Sequence, residues 1–219
     1  MRSKKYREID NPDVFRATVT EAGMPEGVSV DIADAEKESG KSILLGWVKE
    51  IIIAIIIAII VMQFIKPTIV KQRSMEPNFH TNDYLLVSKQ SYKLFHQNPE
   101  MGDVIIFETE MKTENGDDKL LIKRVIGVPG DVISIKDGKV YVNGIEIDDS
   151  YTNDGTTNGE IEDLVVPEGK VFCLGDNRLV SVDSRSSDIG FVDYSQIIGK
   201  AVFRLFPIKD FGTIYNPYK

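Results

Sequence analysis

Hydrophobic and polar positions divide this chain into three parts. The first part is polar and carries charged runs such as DAEKESGKS. A charge-free apolar run, Ile51–Ile65, follows, and after it short apolar runs alternate with turn-forming residues. This pattern predicts a polar, disordered tail over residues 1–41, a transmembrane helix over 42–65 and a folded domain over 66–219.

The apolar run is the strongest local signal in the sequence. Ile51–Ile65 alone would cover only about 22 Å of a hydrocarbon core that is about 30 Å thick. Ser42–Val48 extends the run to a spanning length, with Trp47, Lys49 and Glu50 at one interface. A buried core helix or an aggregation-prone strand is the alternative. A cleaved signal peptide is disfavoured, because the run begins well inside the chain and no A-x-A pattern follows it.

The part after the span has the pattern of short strands. Its apolar runs are rich in Val, Ile, Tyr and Phe and are bounded by Gly, Pro, Asn and Asp, which is typical of strands joined by turns. Asp137-Gly138 and Asn143-Gly144 are hairpin signals. Residues 66–219 are therefore predicted to be mainly β, with antiparallel sheets and no long helix. The predicted strands are YLLVSK, DVIIFET, KLLIKRVIGV, DVISI, KVYVNGIEI, KVFCLG and IIGKAVFRLF.

The charge and the counts of reactive residues disfavour several classes of protein. The formal net charge is −8 over 219 residues, which argues against a general nucleic-acid-binding surface. The single cysteine, Cys173, cannot form a disulfide within the chain. His80 and His96 are the only histidines, so a Ser-His-Asp site has few candidates and a His/Cys zinc cluster has almost none. We therefore expect no metal, no cofactor and no nucleic acid.

A serine lies just beyond the span, in the stretch QRSMEPN at residues 72–78. Pro77 has a fixed φ and biases Glu76 away from the helical region, so we expect the chain to turn just after Ser74. A serine at the mouth of a turn can expose its hydroxyl to a substrate. Taken alone, an ordinary turn serine is the simpler interpretation.

Two basic residues interrupt an apolar strand in LLIKRVIGVPGD, residues 120–131. Alternation along the strand places either Lys123 or Arg124 toward the interior. Lys123 then either reaches solvent from a strand edge or is partly desolvated. Desolvation, together with the charge of the neighbouring Arg124, would disfavour its ammonium form and leave a neutral amine that accepts a proton.

A third stretch, LGDNRLVSVDSRSSDIGFV at residues 174–192, is polar and rich in turns. It is either a surface loop whose ion pairs contribute little each, or a layer of side chains that positions a catalytic pair.

These stretches together resemble the type I signal peptidases of bacteria, membrane-bound serine proteases that remove signal peptides. RSMEPN resembles the family's Ser-Met-x-Pro-Thr box, with Asn78 in place of threonine. GDVIIF and KRVIGVPGD resemble its second and its lysine box, and GKAVFRLFP its closing strand. The segment from GDNR to GFV resembles its last box, although Leu179 and Val180 stand where the family usually has Asp-Asn. The resemblance covers residues 43–219.

The resemblance implies a Ser–Lys protease fold and a role for each matching residue. Ser74 would be the nucleophile, Lys123 the general base, and Ser181 the serine that hydrogen-bonds the lysine. The backbone N–H of Ser74 would donate to the oxyanion. The family often has a second donor two residues earlier, where this chain has Gln72, whose amide can donate.

The resemblance also implies supporting and substrate-binding residues. Arg124 with Asp176, and Asp183 with Arg185, would be structural ion pairs beside the catalytic residues. An extended substrate would pair with the strand edges at 69–72 and 119–122. The substrate-binding residues would be Ile69, Val70, Leu121 and Ile122. They would select small residues at the first and third positions before the cut.

The family's reaction predicts the orientation, which the nearly balanced flanking charges leave open. Signal peptides of exported pre-proteins emerge on the far side of the membrane. The N-terminus would therefore be cytoplasmic, the helix would lie in the lipid bilayer, and residues 66–219 would be extracytoplasmic. One alternative is a non-catalytic bitopic envelope protein whose β domain binds partners. A self-cleaving, repressor-type Ser–Lys protease is a second alternative, disfavoured by the span.

Overall fold

The computed structural model describes residues 32–92, 98–116, 118–153 and 155–219, with side chains from residue 45 onward. Most of the predicted polar tail, and His96, lie outside the described residues. The chain divides into two compact units, one ending at Ile55 and the other comprising Ile56–Lys219.

One long helix, α1, comprises Ile32–Phe64. It begins earlier than the predicted boundary, because Ala, Glu and Lys in IADAEKESGKS are favourable helix formers. Pro67 follows shortly after its end, and the residue before a proline is driven to extended backbone. Within α1, Leu45–Phe64 has 20 residues and a mean hydropathy of 2.5, so it is long and apolar enough to cross a membrane.

Twelve short strands follow in the described part of the chain. They are β1 (Ile65–Ile69), β2 (Tyr84–Ser88), β3 (Val104–Lys112), β4 (Asp118–Gly127), β5 (Val132–Lys136), β6 (Lys139–Val142), β7 (Ile145–Glu146), β8 (Ile161–Val165), β9 (Lys170–Leu174), β10 (Val192–Asp193), β11 (Ile197–Phe206) and β12 (Gly212–Thr213). Two short 3-10 helices, Tyr194–Gln196 and Ile208–Asp210, flank β11.

The strands form two antiparallel sheets. The large sheet has the order β1-β2-β11-β3-β4-β9-β10, with β12 also paired to β11. The small sheet has the order β7-β6-β5-β8. Every neighbouring pair is antiparallel. The predicted mainly β fold is therefore confirmed, and each of the predicted strand segments contains a strand.

Both predicted hairpin turns are present in the small sheet. Asp137 and Gly138, between β5 and β6, have φ of 53° and 76°. Asn143 and Gly144, between β6 and β7, have φ of 54° and 77°. Two successive residues with positive φ match the twist of a tight hairpin, and Asp-Gly and Asn-Gly tolerate that backbone best.

Three buried clusters of apolar side chains hold the domain together. One, around Met75, Phe79 and Leu85, packs beneath the segment that follows β1. A second, around Ile105, Val125 and Cys173, lies against the middle of the large sheet. The third joins the small sheet to β4 and β9 and includes the side chains of Ile126, Ile133, Ile135, Val140, Phe172 and Leu174.

Candidate active site

Ser74 lies in a turn that buried side chains fix in place. The turn is closed by hydrogen bonds from Glu76 N to Arg73 O (3.2 Å) and from Phe79 N to Met75 O (2.8 Å). Met75 and Phe79 are buried in the apolar cluster below, so the turn has little freedom to move. Ser74 itself is only 6% exposed, yet it lines an open cleft.

Lys123 meets Ser74 from the neighbouring strand β4. Its Nζ donates to Ser74 Oγ at 2.7 Å and to Ile122 O at 3.1 Å. The lysine is 1% exposed, because Leu121 and Val125 on the same face of β4 belong to the second apolar cluster. The strand therefore carries a buried amine to the serine hydroxyl at hydrogen-bonding distance.

The environment of Lys123 makes its ammonium form easier to deprotonate. Burial lowers the pKa of this amine from 10.5 to about 8, with Asp183, Cys173 and Asp176 opposing the shift. Lys119 adds a smaller lowering by charge repulsion. From the sequence, part of this lowering was expected to come from Arg124. Its guanidinium is instead paired with Asp176 and is not among the groups that shift the pKa of Lys123.

Arg124 is held by Asp176 in a bidentate pair. Nε and Nη2 lie 2.9 and 2.7 Å from the two carboxylate oxygens, and Nη1 donates to Gly102 O at 2.9 Å. Asn78 joins the same pair, because its Nδ2 donates to Asp176 Oδ2 (2.9 Å) and to Tyr151 O (2.8 Å). The segment after Ser74 is thus tied to the strand that carries Lys123.

Asp183 and Arg185 form the second expected pair, with Nε and Oδ1 separated by 2.8 Å. Asp183 is fully buried and also accepts from Gly175 N at 3.0 Å. Arg185 donates to the carbonyl of Arg178 at 2.8 Å. These bonds hold the two ends of the segment 175–185 together.

Ser181 differs from its predicted role. Its Oγ is buried and has no hydrogen-bond partner among the described residues, so the expected bond to Lys123 is not formed. The hydroxyl packs against Gly175 instead. A Cβ on Gly175 would lie 2.2 Å from Ser181 Oγ and 2.4 Å from Ser74 O, so only glycine permits this close approach.

The structure gives specific partners to Asn177 and Arg178, two residues of the third stretch. Asn177 N donates to Ser74 O at 3.0 Å, and its side chain donates to Arg73 O at 3.3 Å. Arg178, buried beneath this turn, lies 3.0 Å from Asp149 and donates to the Tyr151 hydroxyl at 3.0 Å. The GDNR run was a signal for these residues, but their partners are distant in sequence and gave none.

Two adjoining cavities form a cleft across the site. The edge cavity, of about 560 Å³, lies between residues 66–72 and the first half of β4. The serine cavity, of about 520 Å³, contains Ser74 and the segment 177–182. The two share Gln72, Lys119 and Leu121 as lining residues.

The edge cavity lies between two strand edges, and neither edge is paired with another strand among the described residues. β1 pairs only with β2, and β4 up to Ile122 pairs only with β3. All four predicted substrate-binding residues line this cavity. Ile69 is exposed and Ile122 partly so, whereas the side chains of Val70 and Leu121 are buried in the core. Backbone contacts are thus the main means by which Val70 could meet a substrate.

Comparison with known proteins gives first the class and then the family. The family model described as "Signal peptidase, peptidase S26" matches residues 44–206. The chain is therefore a serine endopeptidase anchored by an N-terminal apolar helix. It belongs to the signal peptidase family, peptidase S26, which confirms the resemblance and the predicted enzyme class.

Two curated relatives agree with this membership, and one solved structure is similar over part of the chain. Signal peptidase I of Bacillus licheniformis is 32% identical over 191 residues, which cover 82% of this chain and 97% of that protein. Signal peptidase IB of Staphylococcus aureus (strain Mu50) is 36% identical over 195 residues, which cover 81% and 97%. A solved signal peptidase I from Enterococcus faecalis V583 is 29% identical, covers 48% of this chain and 97% of its own, and superposes with a TM-score of 0.39.

Proposed function

We propose that this chain removes N-terminal signal peptides from exported pre-proteins through a Ser–Lys dyad, with Ser74 as nucleophile and Lys123 as general base. The observation that carries the proposal is the 2.7 Å contact between Lys123 Nζ and Ser74 Oγ. A serine hydroxyl is a weak nucleophile and needs an adjacent base. Lys123 is the group in contact with it, and its pKa of about 8 suits that task.

The reaction depends on whether the Lys123 amine is protonated or neutral. With a pKa of about 8, about a tenth of the amines are neutral at pH 7. The neutral amine takes the proton of Ser74 as Oγ attacks the scissile carbonyl. The resulting ammonium then gives this proton to the departing amine, which leaves an acyl-enzyme on Ser74. Lys123, neutral again, activates the water that hydrolyses the ester.

The oxyanion of the tetrahedral intermediate needs donors. We assign the backbone N–H of Ser74 and the side-chain amide of Gln72, which lines the same serine cavity. Loss of one such donor lowers the turnover of other hydrolases on the order of 10²-fold. Gln72→Ala and the similarly shaped Gln72→Met should both lower kcat by about this factor while changing KM little. Wild-type kcat in both variants would place the second donor elsewhere.

The two strand edges of the edge cavity support the way in which substrate binds. An extended peptide inserted between β1 and the first half of β4 gains main-chain hydrogen bonds on both sides. This alignment leads the residues before the cut toward Ser74. By resemblance to the signal peptidases, we expect small side chains at the first and third positions before the cut, the A-x-A pattern.

The reaction also supports an orientation for the chain. Signal peptides are cut where they emerge on the far side of the membrane, so the N-terminus would be cytoplasmic and residues 66–219 extracytoplasmic. The chain from Phe64 to Ser74 reaches at most about 35 Å when extended. The nucleophile therefore stays near the membrane surface, where a cleavage site leaves the bilayer.

The test is cleavage of a pre-protein by the full chain in detergent, followed by sequencing of the new N-terminus. Wild type should release one mature N-terminus, preceded in the substrate by an A-x-A-like sequence. Ser74→Ala and Lys123→Met should each lower turnover by on the order of 10⁴-fold or more, because the pair acts as a unit. Circular dichroism of both variants should match wild type, which separates loss of chemistry from loss of folding.

A His80→Ala, His96→Ala double variant is the matched control for the base. It should cleave at the wild-type rate. Near-normal turnover in Lys123→Met, or loss of turnover in the double variant, would remove Lys123 from the proposed role.

A further inference from the structure

The tip of the turn beside Ser74 is apolar in this chain. Leu179, Val180 and Val182 are 46%, 61% and 47% exposed. The first two occupy the positions where the related family usually has Asp-Asn. These three exposed apolar side chains call for an explanation, because most residues of the segment 175–188 are charged or carry a hydroxyl group.

This turn is fixed relative to the nucleophile. Val180 N and Ser181 N both donate to Asn177 O, at 3.3 and 3.1 Å. Asn177 in turn donates from its backbone to Ser74 O at 3.0 Å. The apolar tip therefore stays beside Ser74 and does not depend on a mobile loop for its position.

All three apolar side chains line the serine cavity, and none of them lines the edge cavity. The edge cavity, in contrast, holds both strand edges but not Ser74. Ser74 and the tip line the same serine cavity, which adjoins the edge cavity at Gln72, Lys119 and Leu121. A peptide whose residues before the cut pair with the strand edges would then direct its residues after the cut into the cavity that the tip lines.

We propose that Leu179, Val180 and Val182 form a subsite for the first residues of the mature protein, and that this subsite favours apolar over polar side chains. The inference rests on the proposed function, since it uses the same cleft and the same direction of the substrate. An extended peptide advances about 3.3 Å per residue, so the tip is within reach of the first three residues after the cut. Apolar surface buried there is removed from water, whereas an amide would lose hydrogen bonds to water.

A lipid surface is the competing occupant of these side chains. The serine cavity favours a peptide, because its other lining residues include Gln72, Asn153 and Asn177, whose amides suit a peptide backbone better than acyl chains. The cavity of about 520 Å³ is also a concave space that several side chains can enter.

The experiment competes two pre-proteins in one reaction with the full chain in detergent. They differ only in carrying Leu or its near-isostere Asn at one of the first three positions after the cut. The ratio of the two kcat/KM values is independent of enzyme concentration and of the folded fraction. Wild type should prefer Leu by about 10-fold at one of these positions, the lower range for a hydrophobic subsite.

The variant Leu179→Asp, Val180→Asn should bring this ratio close to one. Ile145→Asp is the matched control, because Ile145 is 72% exposed on β7 and lines neither cavity. It should keep the wild-type ratio. The wild-type ratio alone tests the inference if the double variant fails to fold.

The outcomes separate the inference from the proposed function. A wild-type ratio near one at all three positions overturns the subsite while the proposed function stands. An unchanged ratio in the double variant, with slower cleavage of both substrates in vesicles, identifies the tip as a lipid contact and also overturns it. Failure of wild type to cleave either pre-protein counts against the proposed function itself.

Discussion

Each face of β4 buries a basic side chain, and the two side chains have different partners. Lys123 and Arg124 are neighbours, and they are 1% and 2% exposed. The alternation of the strand sends them to opposite faces. Arg124 meets a carboxylate in a bidentate pair with Asp176, whereas Lys123 meets the neutral hydroxyl of Ser74.

The difference shows that burial alone does not decide the state of a buried cation. A paired guanidinium stays charged and serves as a structural link, because removal of either partner would leave a charge without compensation. An amine without a directly bonded acid becomes easier to deprotonate. Arginine and lysine suit these two tasks, since arginine remains protonated and lysine changes its pKa readily when buried.

The largest expected effect comes from exchanging the two side-chain types. Lys123→Arg keeps the charge but places a group that cannot accept a proton beside Ser74, so kcat/KM should fall on the order of 10⁴-fold. Arg124→Lys keeps the charge but loses the bidentate geometry, and should lower kcat/KM by less than roughly 10-fold. Both are measured with the pre-protein assay. Equal losses in the two variants would mean that the faces of β4 do not differ as described.

The second largest effect is expected when Asp176, the partner of Arg124, is replaced. Asp176→Asn leaves Arg124 buried without its counter-charge, and should destabilise the protein by about 3 kcal/mol, or roughly 8 °C in Tm. Asp176 also raises the pKa of Lys123, so the alkaline limb of kcat/KM should move to lower pH. Asp188→Asn, an exposed acid of the same segment, is the control and should change neither quantity. Thermal unfolding and a pH profile decide the outcome.

A third expected effect is the pH dependence that Lys123 gives to cleavage. Because the amine must be neutral to act, kcat/KM should rise with a limb centred near pH 8, by about 50-fold between pH 6 and pH 8. The same limb should persist in the His80→Ala, His96→Ala variant. A limb near 6.5 that vanishes in this variant would assign the base role to a histidine.

Titration of Lys123 should also make the stability of the folded protein depend on pH. The folded pKa of Lys123 is about 8, below the ordinary value of 10.5. Between these two values the unfolded chain binds more protons than the folded one, so wild-type stability should rise with pH across that window. Lys123→Met should lack this rise. Tm values at pH 8 and 10 for both proteins provide the measurement.

The features of the fold that could be predicted are those that depend on residues close together in the sequence. The hairpin at Asp137-Gly138 follows from two residues that tolerate positive φ. The order of the large sheet was not predictable, because β11 inserts between β2 and β3 through contacts distant in sequence. A strand edge was expected only at residues 69–72, and the start of β1 was not predicted, since Ile65 continues the apolar run and only its pairing with Ser88 reveals a strand.

The same contrast holds within the site. Lys123 stands out in the sequence because a charge interrupts an apolar strand. Its hydrogen bond to Ser74 depends on the turn between Arg73 and Phe79, which spacing alone does not fix. The packing of Ser181 against Gly175 was not foreseen, because a match of residue types to a family box carries no information about side-chain rotamers.

The direct junction of helix and strand has a consequence for how a cleavage site is chosen. α1 ends at Phe64 and β1 begins at the next residue, and Lys89 N donates to Phe64 O at 3.0 Å. Within the described residues, α1 passes into β1 without an intervening residue. Under the proposed function, the covalent chain from Phe64 would therefore limit how far from the membrane Ser74 can cut a bond.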